Sequence, residues 1–173
     1  MRRILFYTIL FIQACTIVFL VVQFERIEQV GTEIKLVTLD EKELYGYDYQ
    51  LIEDAYLEYE ITRIPKEKWS GPSDLNYSEI VYVLLQRGED GIYEVEKASR
   101  KKMDVEDNHS IIITGQYNFY DEHTKEYWIN YDFQHIKNIE RFGKFSYSDN
   151  LIVTLLLSKW NQHKVKDVSL FNG

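Results

Sequence analysis

A single cysteine, Cys15, and two prolines, Pro65 and Pro72, occur in 173 residues. One thiol excludes an intramolecular disulfide framework and any cysteine-based zinc cluster. Positive charge is also in short supply: 20 Lys and Arg face 28 Asp and Glu, a net charge of −8. A nucleic-acid binder needs a basic face to replace phosphate counterions, so that class is disfavoured. Glycine is sparse, and Gly71, Gly88, Gly91, Gly115 and Gly143 stand alone, as turns or bulges require, with no phosphate-cradling loop among them. His109, His123, His135 and His163 are isolated and lack the paired helical spacing of a zinc protease. No serine lies in the strand–turn–helix context of a hydrolase nucleophile. The sequence implies no cofactor and no metal site.

Charge is also missing from one long stretch. Ile4 to Phe24 (ILFYTILFIQACTIVFLVVQF) has no Asp, Glu, Lys or Arg. Its 21 residues would cover about 30 Å as a helix, the hydrocarbon thickness of a bilayer. Arg2 and Arg3 precede it and Glu25-Arg26-Ile27-Glu28 follows, so the positive-inside tendency puts the N-terminus in the cytoplasm. A cleaved signal peptide would need a shorter apolar region and a small-x-small site. A lipoprotein cysteine at Cys15 would need a polar tether where further apolar residues follow. The expectation is an uncleaved transmembrane anchor over residues 1–24, contacting lipid through 4–24, and a short connector over 25–33.

From Glu25 onward, 28 acidic residues oppose 18 basic ones, a net charge of −10. No repeat, low-complexity run or Pro/Gly-rich linker divides this part, which reads as one extracytoplasmic domain over 34–173. Its pattern alternates with a period of two. Strands are expected over Ile34 to Leu39 and over Tyr56 to Ile64, where Leu57, Tyr59 and Ile61 share one face. Ile80 to Arg87 and Ile92 to Ser99 flank Gly88-Glu89-Asp90-Gly91, a hairpin signature. Ser110 to Phe119 pairs with Glu126 to Phe133, and Leu151 to Trp160 with Lys164 to Phe171. Short strands and short turns imply a mainly β fold, an antiparallel sandwich or a partly open barrel. A helical turn capped by Asp40 is expected within the less regular stretch from Glu41 to Ala55.

Three features bear on chemistry. Asp40, Glu41, Glu43, Asp48, Glu53, Asp54, Glu58 and Glu60 make the stretch from 40 to 60 acidic. Dense carboxylates bind hard cations or share protons, but the spacing fits no EF-hand loop and suits a solvated face. Lys97, Arg100, Lys101 and Lys102 form a basic cluster that would meet anionic headgroups, an acidic partner or solvent. In EYWINYDF, Tyr127, Ile129, Tyr131 and Phe133 share a core face, and Trp128 points the other way, a candidate sugar- or protein-binding spot.

The anchor, the run Thr38-Leu39-Asp40-Glu41-Lys42-Glu43-Leu44-Tyr45-Gly46-Tyr47-Asp48-Tyr49 and then Leu57-Glu58-Tyr59-Glu60-Ile61 resemble the bacterial GDYXXLXY family. That family comprises membrane-anchored proteins of unknown function. The resemblance makes Asp40, Leu44, Gly46, Asp48, Tyr49, Leu57, Tyr59 and Glu60 signature positions without an assigned role. It extends to Val81-Tyr82-Val83-Leu84 and to Trp128 through Gly143. Thr38 and Glu41 replace two family prolines, Lys42 replaces an arginine, and Gly46 lies one place early.

Together these features describe a single-pass protein of the bacterial cytoplasmic membrane with its β domain outside. It is expected to act as an accessory or binding module for another membrane or envelope component. Two alternatives stand beside it: an envelope hydrolase or cation-dependent enzyme using the 40–60 carboxylates, and a carbohydrate-binding module using Trp128. The reading leans away from catalysis and leaves the oligomeric state open.

Overall fold

The computed structural model describes residues 2–39, 50–51, 53–105, 107, 109–146, 148–158 and 162–171. The chain opens with one helix, α1 (Arg2–Val30). Leu5, Phe6 and Tyr7 are 64%, 62% and 66% exposed, and Ile9 to Ile12 are exposed as well. Successive residues step by about 100° around a helix, so apolar side chains occupy its whole circumference. Among the described residues no helical stretch is long and apolar enough to cross a membrane. The described side chains of the apolar run extend from Leu5 to Phe19 and resume at Val21 and Val22.

At its far end the helix meets the β domain. Ile27 is only 1% exposed, and the Gly31 N–H donates to the Ile27 carbonyl at 2.9 Å. A Cβ on Gly31 would lie 2.5 Å from that carbonyl oxygen and 3.3 Å from Leu156 Cβ, so a close approach requires glycine there. Lys164 pairs with Glu28, and Lys166 with Glu33, across the same junction.

The rest is mainly β, with 46% of the chain in strands and a nearly closed, barrel-like sheet. In chain order the strands are β1 (Thr32–Val37), β2 (Gln50–Leu51), β3 (Ala55–Tyr56), β4 (Arg63–Pro65) and β5 (Trp69–Ser70). β6 (Ile80–Arg87), β7 (Tyr93–Ser99), β8 (Ser110–Asp121) and β9 (Glu126–Asn130) follow. The last four are β10 (His135–Ile136), β11 (Phe145–Ser146), β12 (Leu151–Leu157) and β13 (His163–Leu170). The largest sheet has the order β4-β9-β8-β6-β7-β5, a second is β1-β12-β13, and β10-β3 and β11-β2 are short pairs. All are antiparallel except β5 against β7. Inward residues of both larger sheets, among them Ile34, Leu36, Val83, Leu85, Ile113, Val153 and Leu155, form one core.

The residues show no repeat, but the strand register carries one. Leu85 faces Ile111 and Val83 faces Ile113, joining β6 of the first repeat to β8 of the second. Leu155 faces Ile34 and Val153 faces Leu36, joining β12 of the second repeat to β1 of the first in the same way. The β6–β7 hairpin carries a bulge, where Leu84 opposes Lys97 and Leu85 opposes Val95. The β12–β13 hairpin repeats it, with Thr154 opposing Asp167 and Leu155 opposing Val165. Arg63 against Trp128 and Ile64 against Tyr127 likewise match His135 against Tyr56 and Ile136 against Ala55. Apart from the hairpins, each of these pairings joins one repeat to the other, and the contacts are reciprocal, as a local two-fold relation requires.

The expected strands over Tyr56 to Ile64 and Glu126 to Phe133 are both interrupted at equivalent places. One turn of 3₁₀ helix spans Glu60–Thr62 and another spans Asp132–Gln134. The Thr62 N–H donates to the Tyr59 carbonyl at 2.8 Å, and the Tyr59 N–H donates to Thr62 Oγ1 at 3.2 Å. In the second copy, the Tyr131 N–H donates to Gln134 Oε1 at 2.7 Å. This reciprocal capping satisfies backbone groups that the ladder leaves unpaired. The expected helical turn at Asp40 lies outside the described residues.

Candidate functional site

Of the signature positions, Asp40, Leu44, Gly46, Asp48 and Tyr49 lie outside the described residues. Leu57 and Tyr59 are buried, and Glu60 is exposed at the start of its 3₁₀ turn. The Leu57 N–H donates to the Gln134 carbonyl at 2.8 Å, tying the two turns together. The Tyr59 hydroxyl donates to the Phe133 carbonyl at 3.2 Å, and Tyr131 returns the contact to the Ile61 carbonyl at 2.9 Å. Burial pushes both phenols well above their ordinary pKa, so they are permanent donors. Each tyrosine thus reaches from its own repeat to the backbone of the other.

Beside this junction of the two repeats lies a cluster of mixed charge and aromatic character. Trp128 is half-buried, not free on the surface. The β4–β9 register sets Arg63 opposite it, and the guanidinium carbon lies 4.6 Å from the indole centroid. A register shift in β8 between Tyr117 and Phe119 brings Phe119 opposite it on the other neighbouring strand. Those rings stack with centroids 5.2 Å apart and an interplanar angle of 16°. Burial raises the pKa of the half-buried Glu58 carboxyl, and the nearby Arg63 charge opposes that shift. Glu58 Oε2, Arg63 Nε and Trp128 Nε1 are buried without a hydrogen-bond partner among the described residues.

Chemically the cluster offers a fixed cation, a carboxylate with a raised pKa and the exposed Phe119 ring, with Arg63 and Phe119 both packed on Trp128. Arginine keeps its proton, so Glu58 is the titratable group of the cluster. Glu60 is also raised, first by burial and then by the negative charge of Glu94. The histidines fall in different places. His135 Nε2 lies 3.6 Å from Asp54 Oδ2, and His163 packs edge-on against Phe133 at 5.9 Å. His109 and His123 follow the turn aspartates Asp107 and Asp121, whose carboxylates accept their N–H groups. Among the described residues no group of three or more His, Cys, Asp or Glu is placed to hold a metal ion. Cys15 is exposed on α1.

Two concavities lie on the outer face of the largest sheet, beside the connection between β7 and β8. One, of about 390 Å³, is lined by Thr32, Tyr82, Lys102, Ile112, Thr114 and Leu157. The other, of about 430 Å³, is lined by Leu84, Glu96, Lys97, Met103, Asp104 and Asp107. Sequence reading found the basic residues but not the grooves, because Thr32 and Leu157 of the smaller sheet meet Tyr82 and Ile112 of the larger one only in the folded domain. It also missed Arg63 and Phe119, which reach Trp128 through register. Comparison of the whole chain with family models, curated proteins and solved structures finds no match to any of them.

Proposed function

We propose that the protein is a single-pass membrane protein with a cytoplasmic N-terminus, displaying its acidic β domain outside the cytoplasmic membrane. In this reading the domain is a non-catalytic accessory or binding module that docks on another membrane or envelope component. The observation that carries it is a helix apolar on every face whose far end is seated on the domain. A helix of that kind is unstable in water unless lipid or protein covers it. The 21-residue uncharged run supplies the length, and the arginines at its start supply the orientation. The likeness of Asp40, Leu44, Asp48, Tyr49 and Leu57-Glu58-Tyr59 to the GDYXXLXY signature supports the same reading, with the chain as a divergent member. The mixed cluster at Glu58, Arg63 and Trp128 is the region best suited to contact a partner.

A reporter fused after Gly173 tests the topology. A phosphatase that folds only outside the cytoplasm is expected to be active there, and cytoplasmic activity alone would overturn the orientation. Full-length protein is expected to stay with membranes through alkaline carbonate extraction; its release would overturn the anchor.

A further inference from the structure

We infer that the groove lined by Thr32, Tyr82, Lys102 and Ile112 binds the headgroup of an anionic phospholipid from the bilayer holding α1. This rests on the anchor reading of the previous section. The uncharged run ends at Phe24, and Glu25 to Val30 continue the helix for about 9 Å. The polar layer on each side of the hydrocarbon is roughly 5–8 Å thick. Only Gly31 then separates the helix from Thr32, which forms one wall of the groove. The groove therefore opens at the outer boundary of the headgroup layer, and a flexible lysine side chain can close the remaining gap.

The lining matches that occupant. Lys102 has no ion-pair partner among the described residues, whereas Lys164 and Lys166 at the same end are paired with Glu28 and Glu33. Within a domain of net charge −10, Lys102 offers a local cation where the bilayer surface would present phosphate. Thr32, Tyr82 and Thr114 supply hydroxyl donors for phosphate and glycerol oxygens, and Ile112 and Leu157 supply an apolar wall for the first methylenes. At about 390 Å³ the space is of the size of ordinary small-ligand sites.

The test uses the full chain reconstituted into vesicles of phosphatidylcholine alone or of equimolar phosphatidylcholine and phosphatidylglycerol. Flotation reports anchoring, and native mass spectrometry after gentle extraction counts the lipids that stay bound. Wild-type protein is expected to retain phosphatidylglycerol over phosphatidylcholine by about five-fold, the effect of one cation near a membrane surface. Lys102→Glu should bring the ratio to about one, Lys102→Arg should keep it, and Lys137→Glu, outside the groove, should leave it unchanged. A wild-type ratio near one, or a preference surviving Lys102→Glu, would overturn the groove while leaving the anchor standing. A chain that floats with neither vesicle would overturn the anchor and the groove together.

Discussion

The two repeats of the domain differ most at the places where the chain enters them. The first repeat is entered from α1, whose last turns seat Ile27 and Gly31 against Leu156 on the outer face of β12. The second is entered from the connection after β7, which lines two open grooves on the outer face of β6 and β8. Inside, the repeats share their pairings, their hairpin bulge and their tyrosine-capped turns. Outside they diverge freely. The core constrains which residues face inward and how strands register, and the outer face is where each copy can acquire its own partner.

The largest test of this equivalence exploits a position where the copies disagree. Thr38 pairs with Tyr59 and accepts the Leu151 N–H on Oγ1 at 2.9 Å. Its counterpart is Gly115, opposite Val81, where a Cβ would collide with Ile129 and lie 2.8 Å from Tyr131 Cε1. Gly115→Thr should therefore destabilise the fold by about 3 kcal/mol, the upper end for overpacking. For a chain of this size that is a fall of roughly 6–12 °C in melting temperature. The melt can be followed in detergent through the fluorescence of Trp69 and Trp128. A Gly115→Thr protein melting like wild type would mean that the second copy accommodates a side chain there just as the first accommodates Thr38, and that the collision does not set the two positions apart.

Next in size are the tyrosine hydroxyls. Tyr131→Phe strands the buried Ile61 carbonyl, and Tyr59→Phe strands that of Phe133. Each should cost about 1–2 kcal/mol, the penalty for a buried acceptor left alone. Tyr131→Phe should cost slightly more, since its bond is shorter, 2.9 Å against 3.2 Å. The double variant should depart from additivity, because both bonds span the same interface. Strict additivity in a double-mutant cycle would argue that the two halves are held elsewhere.

Much of this was legible in the sequence. The β6–β7 hairpin was, because Gly88 to Gly91 break an apolar run that alternates on both sides. The inward positions Leu57, Tyr59, Ile61, Tyr127, Ile129, Tyr131 and Phe133 were too, because period-two burial is a local property. The 3₁₀ turns were hidden because Thr62 and Gln134 are polar: each is buried beside the inward residue before it, Ile61 or Phe133, and so shifts the phase of burial where the sequence reads an outward position. The repeat was hidden because its copies share so few identities, such as Tyr59 with Tyr131 and Ile64 with Ile136. What recurs is register, and register depends on partners distant in the chain. Trp128 shows the same limit at the candidate site. Its outward direction was readable, but not its cover, since Arg63 and Phe119 come from two other strands.

The smallest expected effect comes from a second disagreement between the copies. Tyr93 opposes Arg87 in the first hairpin, and His163 opposes Leu157 at the matching place in the second. Burial against Phe133 lowers the pKa of His163 from its usual 6.5, with Asp132 pulling weakly the other way. Folding thus favours the neutral imidazole, and the unfolded chain binds the proton more readily. The contribution to stability is complete above about 6.5 and is lost as pH falls below that value toward the folded pKa. His163→Tyr installs the first copy's residue and removes this titration. The melting temperature of wild type should fall more steeply than that of the variant between pH 7 and pH 5, while both respond alike above pH 7. Parallel profiles would show that His163 is as open to solvent when folded as when unfolded, and that the second hairpin is less closely packed than the first.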